Sequence, residues 1–445
     1  MEAPIVKVSD ARFPSPFGGG VEYAAPARGA WNIVHIGMLL PESHQIFVCA
    51  QSCLRGVVLT AAEMGASERF STIAVCENDV LFGDMEELII DGVADILGRL
   101  PKMPRAVLVF TSCIHHFMGC DLDFVYAQLR KRFPAVHFTD CYMYPIMRKS
   151  KTPPDPMMRK RLYSFLERPA HRDDRCVNII GNLFPTLPSS DFMFLLSRGG
   201  YDVRDITRCE TFDEYLKMAK SRFNIAFQPT ALPAMQDLKR RLGTPGLYMP
   251  LSYDAYEIRD SLAKLAAALD IPDKELQWVC NRADDAFYEL KRMAKSLGGT
   301  PVAIDYTAAP RVLGLAEVLL DYGVNVRRIY ADSFTEEERP AFERLKAKYP
   351  DIEILPTVHP KMGLISHCVP KSSEKILAIG QKAAYFCGTP YFVNLIDGAL
   401  CGAAGSFSLW GFDGLAMLAH AISDAAADPR DMKRIIQVKG WGCCC

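Results

Sequence analysis

A chain of 445 residues, 49% apolar, 23% charged and 10% aromatic, has the composition of a globular protein with an ample core. Its 51 basic and 52 acidic side chains leave a net charge of -1, which excludes a generic grip on nucleic acid or anionic membrane, since both need a basic surplus. No run of apolar residues is long enough for a transmembrane helix, and the opening MEAPIVKVSDARFPSP lacks the apolar centre of a secretory signal. A reducing cytoplasm is the expected compartment. There, 15 cysteines point to metal or catalysis more than to disulfides, although each one singly reads first as a small buried hydrophobe.

Along the chain, apolar β-branched runs at 106–110 (AVLVF), 177–181 (VNIIG), 223–227 (FNIAF), 301–305 (PVAID), 324–330 (VNVRRIY) and 375–380 (KILAIG) predict strands buried on both faces. Amphipathic stretches at 85–100, 312–323 and 335–349 predict helices between strands. This alternation implies βαβ units and parallel sheets. Residues 149–176, polar and proline-containing, read as a surface connection, and 253–298 read as helices without a strand. The rhythm divides the chain into three α/β domains, 1–172, 173–299 and 300–445. The last domain closes with a helix over 411–427, which Asp413 and Gly414 suit as an opening turn. Cys443-Cys444-Cys445 reads as a tail rather than a metal site.

Two constellations carry chemistry. Phe47-Val48-Cys49-Ala50-Gln51-Ser52-Cys53 ends an apolar run in two thiols, and Thr111-Ser112-Cys113-Ile114-His115-His116-Phe117-Met118-Gly119-Cys120 follows the strand at 106–110. Cys76 lies between them. Thiolates at strand ends suit soft metals, and an iron–sulfur cluster draws them from separated positions. C-x3-C and C-x6-C are weak patterns beside a paired CxxC zinc motif, so zinc stays open but without the two closely spaced pairs that would specify it. His115 and His116 stand too close in sequence to Cys113 to serve as its base, and read as a surface or interface pair. Gly18-Gly19-Gly20 lacks the Lys-Ser/Thr of a phosphate loop, and Gly402-Ala403-Ala404-Gly405 lacks the strand of a dinucleotide fingerprint.

The order of these pieces over residues 28–425 resembles the nitrogenase component 1 family, with spacing closer to its β-type than its α-type subunit. Val48-Cys49-Ala50-Gln51-Ser52-Cys53 stands where the family has His-Gly-x-x-Gly-Cys. Val80-Leu81-Phe82-Gly83-Asp84 resembles Val-Phe-Gly-Gly. Gly388-Thr389-Pro390 with Trp410-Gly411-Phe412-Asp413-Gly414 resembles Gly-x-Pro followed by Trp-Gly-Tyr-x-Gly. The resemblance implies three Rossmann-like α/β domains with parallel sheets around a central cleft. It implies an iron–sulfur cluster, [4Fe-4S] or larger and P-cluster-like, on Cys53 and Cys113. Thr111 and Ser112 would donate hydrogen bonds toward it. The family's first cluster cysteine would fall in Ala24–Gly29, which here reads AAPARG, so Cys49 or Cys120 is expected to fill that place. The segment Gln228-Pro229-Thr230-Ala231-Leu232 lacks the cysteine that holds the iron–molybdenum cofactor, which is therefore not expected. The implied activity is that of a reductase subunit fed by an ATP-dependent iron protein, working as a homodimer or with a paralogous second subunit. The alternative is a scaffold that holds a metallocluster precursor without turnover.

Overall fold

A computed structural model describes residues 4–23, 33–144, 153–363, 375–402 and 405–431. Ala24–Gly29 and Cys443–Cys445 lie outside the described residues. The chain forms two compact units, one of Trp31–Leu183 with Asp202–Tyr248, the other of Met1–Ala30, Phe184–Tyr201 and Met249–Cys445. The short strand β1 (Val6–Lys7) belongs to the latter.

The unit starting at Trp31 opens with α1 (Ile33–Met38), β2 (Ser43–Ala50), α2 (Gln51–Glu63), β3 (Phe70–Val75), α3 (Glu77–Leu81) and α4 (Met85–Arg99). It continues through β4 (Ala106–Ser112), α5 (Cys113–Met118), α6 (Leu122–Arg132), β5 (His137–Met143) and α7 (Pro154–Leu162). The four strands pair in parallel in the order β3-β2-β4-β5. The run at 106–110 lies in β4, where every residue is buried, as a sheet covered on both faces requires. Ile46, Val48, Val107 and Val109 face α4 and α6, while Phe47, Cys49 and Phe110 face the opposite core. On that side Phe47 stacks on Phe110 with ring centroids 4.1 Å apart and on Phe70 at 5.0 Å, tying three strands side by side. The helix predicted over 85–100 is α4. Asp84 caps it by accepting the Glu87 N–H at 2.9 Å, and Met85, Ile89, Val93 and Leu97 form its buried stripe.

The segment 149–176 is not a surface connection. Its described part contains α7, whose Met158 and Leu162 enter the core together with Tyr163 and Leu166. Arg159 is buried with them, its Nε 2.6 Å from Asp155 Oδ1. The dense basic residues disguised an amphipathic helix, and the prolines sit at its start, where a missing N–H costs nothing. A second parallel sheet follows, built from β6 (Asp173–Ile179), β7 (Asp202–Asp205), β8 (Ser221–Ala226) and β9 (Gly246–Tyr248) in the order β7-β6-β8-β9.

The other unit holds α8 (Asp191–Arg198) and, after α9 (Phe212–Lys217) and α10 (Leu232–Leu242) of the first, α11 (Ala255–Ala268), α12 (Asp273–Cys280) and α13 (Ala283–Leu297). The helices of 249–299 and the segment 184–201, which the sequence rhythm assigns to a middle domain, thus group with the C-terminal sheet. That sheet comprises β10 (Val302–Asp305), β11 (Val326–Tyr330), β12 (Glu353–Leu355), β13 (Leu377–Ile379) and β14 (Phe392–Val393) in the order β1-β12-β11-β10-β13-β14. Only β1 runs antiparallel among these described strands. Gly380 (φ 104°) follows β13, where a Cβ would collide with the buried Asp305 carboxylate. No helix among the described residues is long and apolar enough to cross a membrane.

The Trp410-Gly411-Phe412-Asp413-Gly414 motif is a structural tie. It opens the closing helix (Phe412–Ala427), which packs along α13. The Asp413 N–H donates to Asp191 Oδ2 at 2.9 Å, and the Asp191 N–H donates to Asp413 Oδ1 at 3.2 Å, so two helix starts satisfy each other. Arg282 Nη1 lies 2.9 Å from Asp191 Oδ1. Burial first, and the Asp191 charge second, push the Asp413 carboxyl up to about 6 from 3.8. An acid whose folded value is raised lends most stability below its unfolded value and loses it as pH rises through the folded one. The melting temperature of Asp413→Asn relative to wild type should therefore shift in the variant's favour between about pH 4 and about pH 7. A flat or opposite trend in thermal melts would contradict this assignment.

Candidate metal centre

Register decides where the thiols fall. Ala50 of β2 pairs with Val75 of β3, and Val48 pairs with Thr111 of β4, so the three strands end nearly level. Ligands of open α/β sheets bind outside such carboxyl ends. Cys49 is the penultimate residue of β2 and is fully buried. Cys53 lies exposed in the first turn of α2, and Cys113 opens α5, partly exposed. Burial pushes the Cys49 thiol up to about 12, and the neighbouring Cys53 and Cys113 push in the same direction.

Cys120 occupies a different setting. It follows Gly119, which ends α5 in the left-handed region (φ 69°). Burial pushes its thiol up to about 12, reinforced by the charge of Glu86, a hydrogen bond to Glu86, and then Asp121 and Asp84. Glu86 Oε1 also accepts the Asp121 N–H at 2.6 Å. Tyr144 connects the two settings. Burial raises its phenol, and both Cys120 and Cys113 add to the rise.

Thr111 and Ser112, the residues expected to donate toward sulfur, each have a hydrogen-bond partner within the protein. The Thr111 hydroxyl lies 3.3 Å from the Tyr144 hydroxyl, and the Ser112 N–H donates to His115 Nδ1 at 3.2 Å. His115 is not a surface residue: it is 1% exposed, and burial lowers its pKa. His116 is exposed and packs near the Tyr144 ring at 6.1 Å.

Cys76, left without a role by its sequence spacing, directly follows β3 as the residue that starts α3, and it is exposed. Its nearness to the edge of β2 comes from strand order, which no local spacing encodes. Large apolar side chains crowd the loops after β3 and β4: Leu81 is 61% exposed, Phe82 87%, Phe117 69% and Met118 48%. Among the described residues no three His, Cys, Asp or Glu side chains converge tightly enough to chelate one metal ion. Thiols spread along a sheet edge suit instead a multi-iron cluster, which takes its sulfurs from separated loops. By donor chemistry, Cys53 and Cys113 fit such a group.

A family profile described as nitrogenase component 1 type oxidoreductase matches residues 35–362. The chain belongs to that family. Component 1 membership accords with the observed architecture of several parallel sheets, as expected from the sequence. Among solved structures, the chain is similar to "Nitrogenase Cp1 at pH 6.5" at 13% identity, covering 93% of this chain and 95% of that one with a TM-score of 0.68. It is similar to "Nitrogenase Cp1 at pH 5" at 14% identity, with coverage of 95% and 93% and a TM-score of 0.59. At this identity the likeness concerns the fold. No curated protein matches the chain.

The setting of Cys120 in this component 1 chain yields a direct test. Replacing Glu86 by Gln removes one opposing charge, so the Cys120 thiolate fraction should rise. Its alkylation rate at about pH 8 should increase several-fold. An unchanged rate, read by peptide mass spectrometry, would show that Glu86 does not control this thiol.

Proposed function

We propose that this chain is a subunit of a nitrogenase-like reductase that holds an iron–sulfur cluster through Cys53 and Cys113, with Cys49 or Cys120 supplying a further sulfur. Its electron donor is an ATP-hydrolysing iron protein. One observation carries the reading: Cys53, in the first turn of the helix after β2, and Cys113, the first residue after β4, follow two adjacent parallel strands that end nearly level. When bound, a cluster of [4Fe-4S] type or a larger P-cluster-like one supplies a one-electron carrier.

The chain's own residues prepare that place. The Phe47–Phe110 stack excludes water from beneath the edge. Such exclusion, together with nearby hydrogen bonds, is how proteins set the potential of a bound metal group. The Thr111–Tyr144 hydroxyl pair closes the flank toward β5. Leu81, Phe82, Phe117 and Met118 suit burial against a second component 1 chain, either another copy or a paralogue. In this reading the iron protein hydrolyses ATP and the chain itself needs no phosphate loop.

Anaerobically purified protein should contain iron and acid-labile sulfide. Cys53→Ala and Cys113→Ala should each lose most of the iron, whereas Cys280→Ala, on α12, should keep it. Equal iron in all three variants would defeat the ligand assignment. Addition of the chain to a reduced iron protein and ATP should drive ATP-dependent oxidation of that iron protein. Cluster binding without such oxidation would mark an assembly scaffold instead of a reductase.

A further inference from the structure

We infer that Cys76, rather than Cys120, joins Cys53 and Cys113 as an accessible thiol of this centre. The inference rests on the cluster reading above and names one of its ligands.

Three neighbouring strands each lead into a cysteine. Cys76 directly follows β3, Cys53 lies in the first turn after β2, and Cys113 directly follows β4. The strands are parallel, adjacent and level, with Val75 opposite Ala50 and Thr111 opposite Val48. Neighbouring strands lie about 4.8 Å apart, so the tips of β3 and β4 stand about 10 Å apart with the Cys53 turn between them. Such a span exceeds what one ion bridges and suits a multi-iron group held from several loops.

The loops on either side of β2 are built alike. After β3 come Cys76, the short helix α3 and the exposed Leu81 and Phe82; after β4 come Cys113, the short helix α5 and the exposed Phe117 and Met118. Each short helix is closed at its start by its third residue: Asp79 accepts the Cys76 N–H at 2.7 Å, and His115 accepts the Ser112 N–H at 3.2 Å. Cys76 is itself the cap of its short helix and Cys113 is the residue after the cap of its own, so each stands at the start of a loop that carries exposed apolar side chains. Cys120 offers the opposite. It follows the end of a helix rather than the end of a strand, and the N–H of its neighbour Asp121 is tied to Glu86 Oε1 at 2.6 Å.

The test compares apo-protein with protein reconstituted anaerobically with iron and sulfide, each pulsed with iodoacetamide and read by peptide mass spectrometry. Cys53, Cys76 and Cys113 should alkylate about tenfold more slowly in the reconstituted form, with Cys120 and Cys280 unchanged. Cys76→Ala should lose most of its iron and alter the EPR signal, while its apo form melts like wild type because the replaced side chain is exposed. Protection of Cys53 and Cys113 without Cys76, or full iron in Cys76→Ala, overturns the inference and leaves the centre standing. Absence of protection at all three, with no iron in the wild type, overturns the centre as well.

Discussion

The pairing register of β2 with its two parallel neighbours is the constraint on which the candidate centre depends. Strands β3, β2 and β4 are locked by the Phe70–Phe47–Phe110 stack on one face and by Ile46, Val48, Val107 and Val109 on the other. A slip of one residue would turn these sets to the wrong faces, so burial enforces the alignment. Once aligned, the strands end together, and whatever residues follow them share one edge. That cysteines follow all three is a property of the sequence; that they are neighbours is a property of the sheet.

Much of the architecture was legible in local pattern. The apolar runs in β4, β6, β8, β10, β11 and β13 announced parallel strands because both faces of such sheets are covered and the runs are nearly continuous. The stripe of α4 was equally plain. Less legible was α7, where Met158 and Leu162 were hidden among Arg159, Lys160 and Arg161, and where Arg159 itself is buried beside Asp155. His115 misled for a related reason. Polar residues are read outward by default, yet this ring turns inward to accept a backbone N–H at the start of α5.

The centre was legible only in part. Cys53 and Cys113 were singled out by their resemblance to the family's cluster cysteines, and Cys49 and Cys120 as the extra thiols beside those two positions. Sequence distance could not separate those two. The structure gives them distinct surroundings, Cys49 fully buried in the cluster of Phe47 and Phe110, Cys120 partly exposed against the cluster on the opposite face of the sheet, with Glu86 beside it. The Trp410–Gly414 motif, one basis for the family resemblance, turned out to brace α8 against the closing helix through Asp191 and Asp413. Motif order thus reported the fold at one end of the chain and candidate chemistry at the other.

The most direct test is anomalous X-ray diffraction at the iron edge from crystals of anaerobically purified protein. The account predicts iron density within bonding distance of the Cys53 and Cys113 sulfurs, at the carboxyl ends of β2 and β4. Iron bound elsewhere, or an edge whose thiols carry none in an iron-replete preparation, would contradict it.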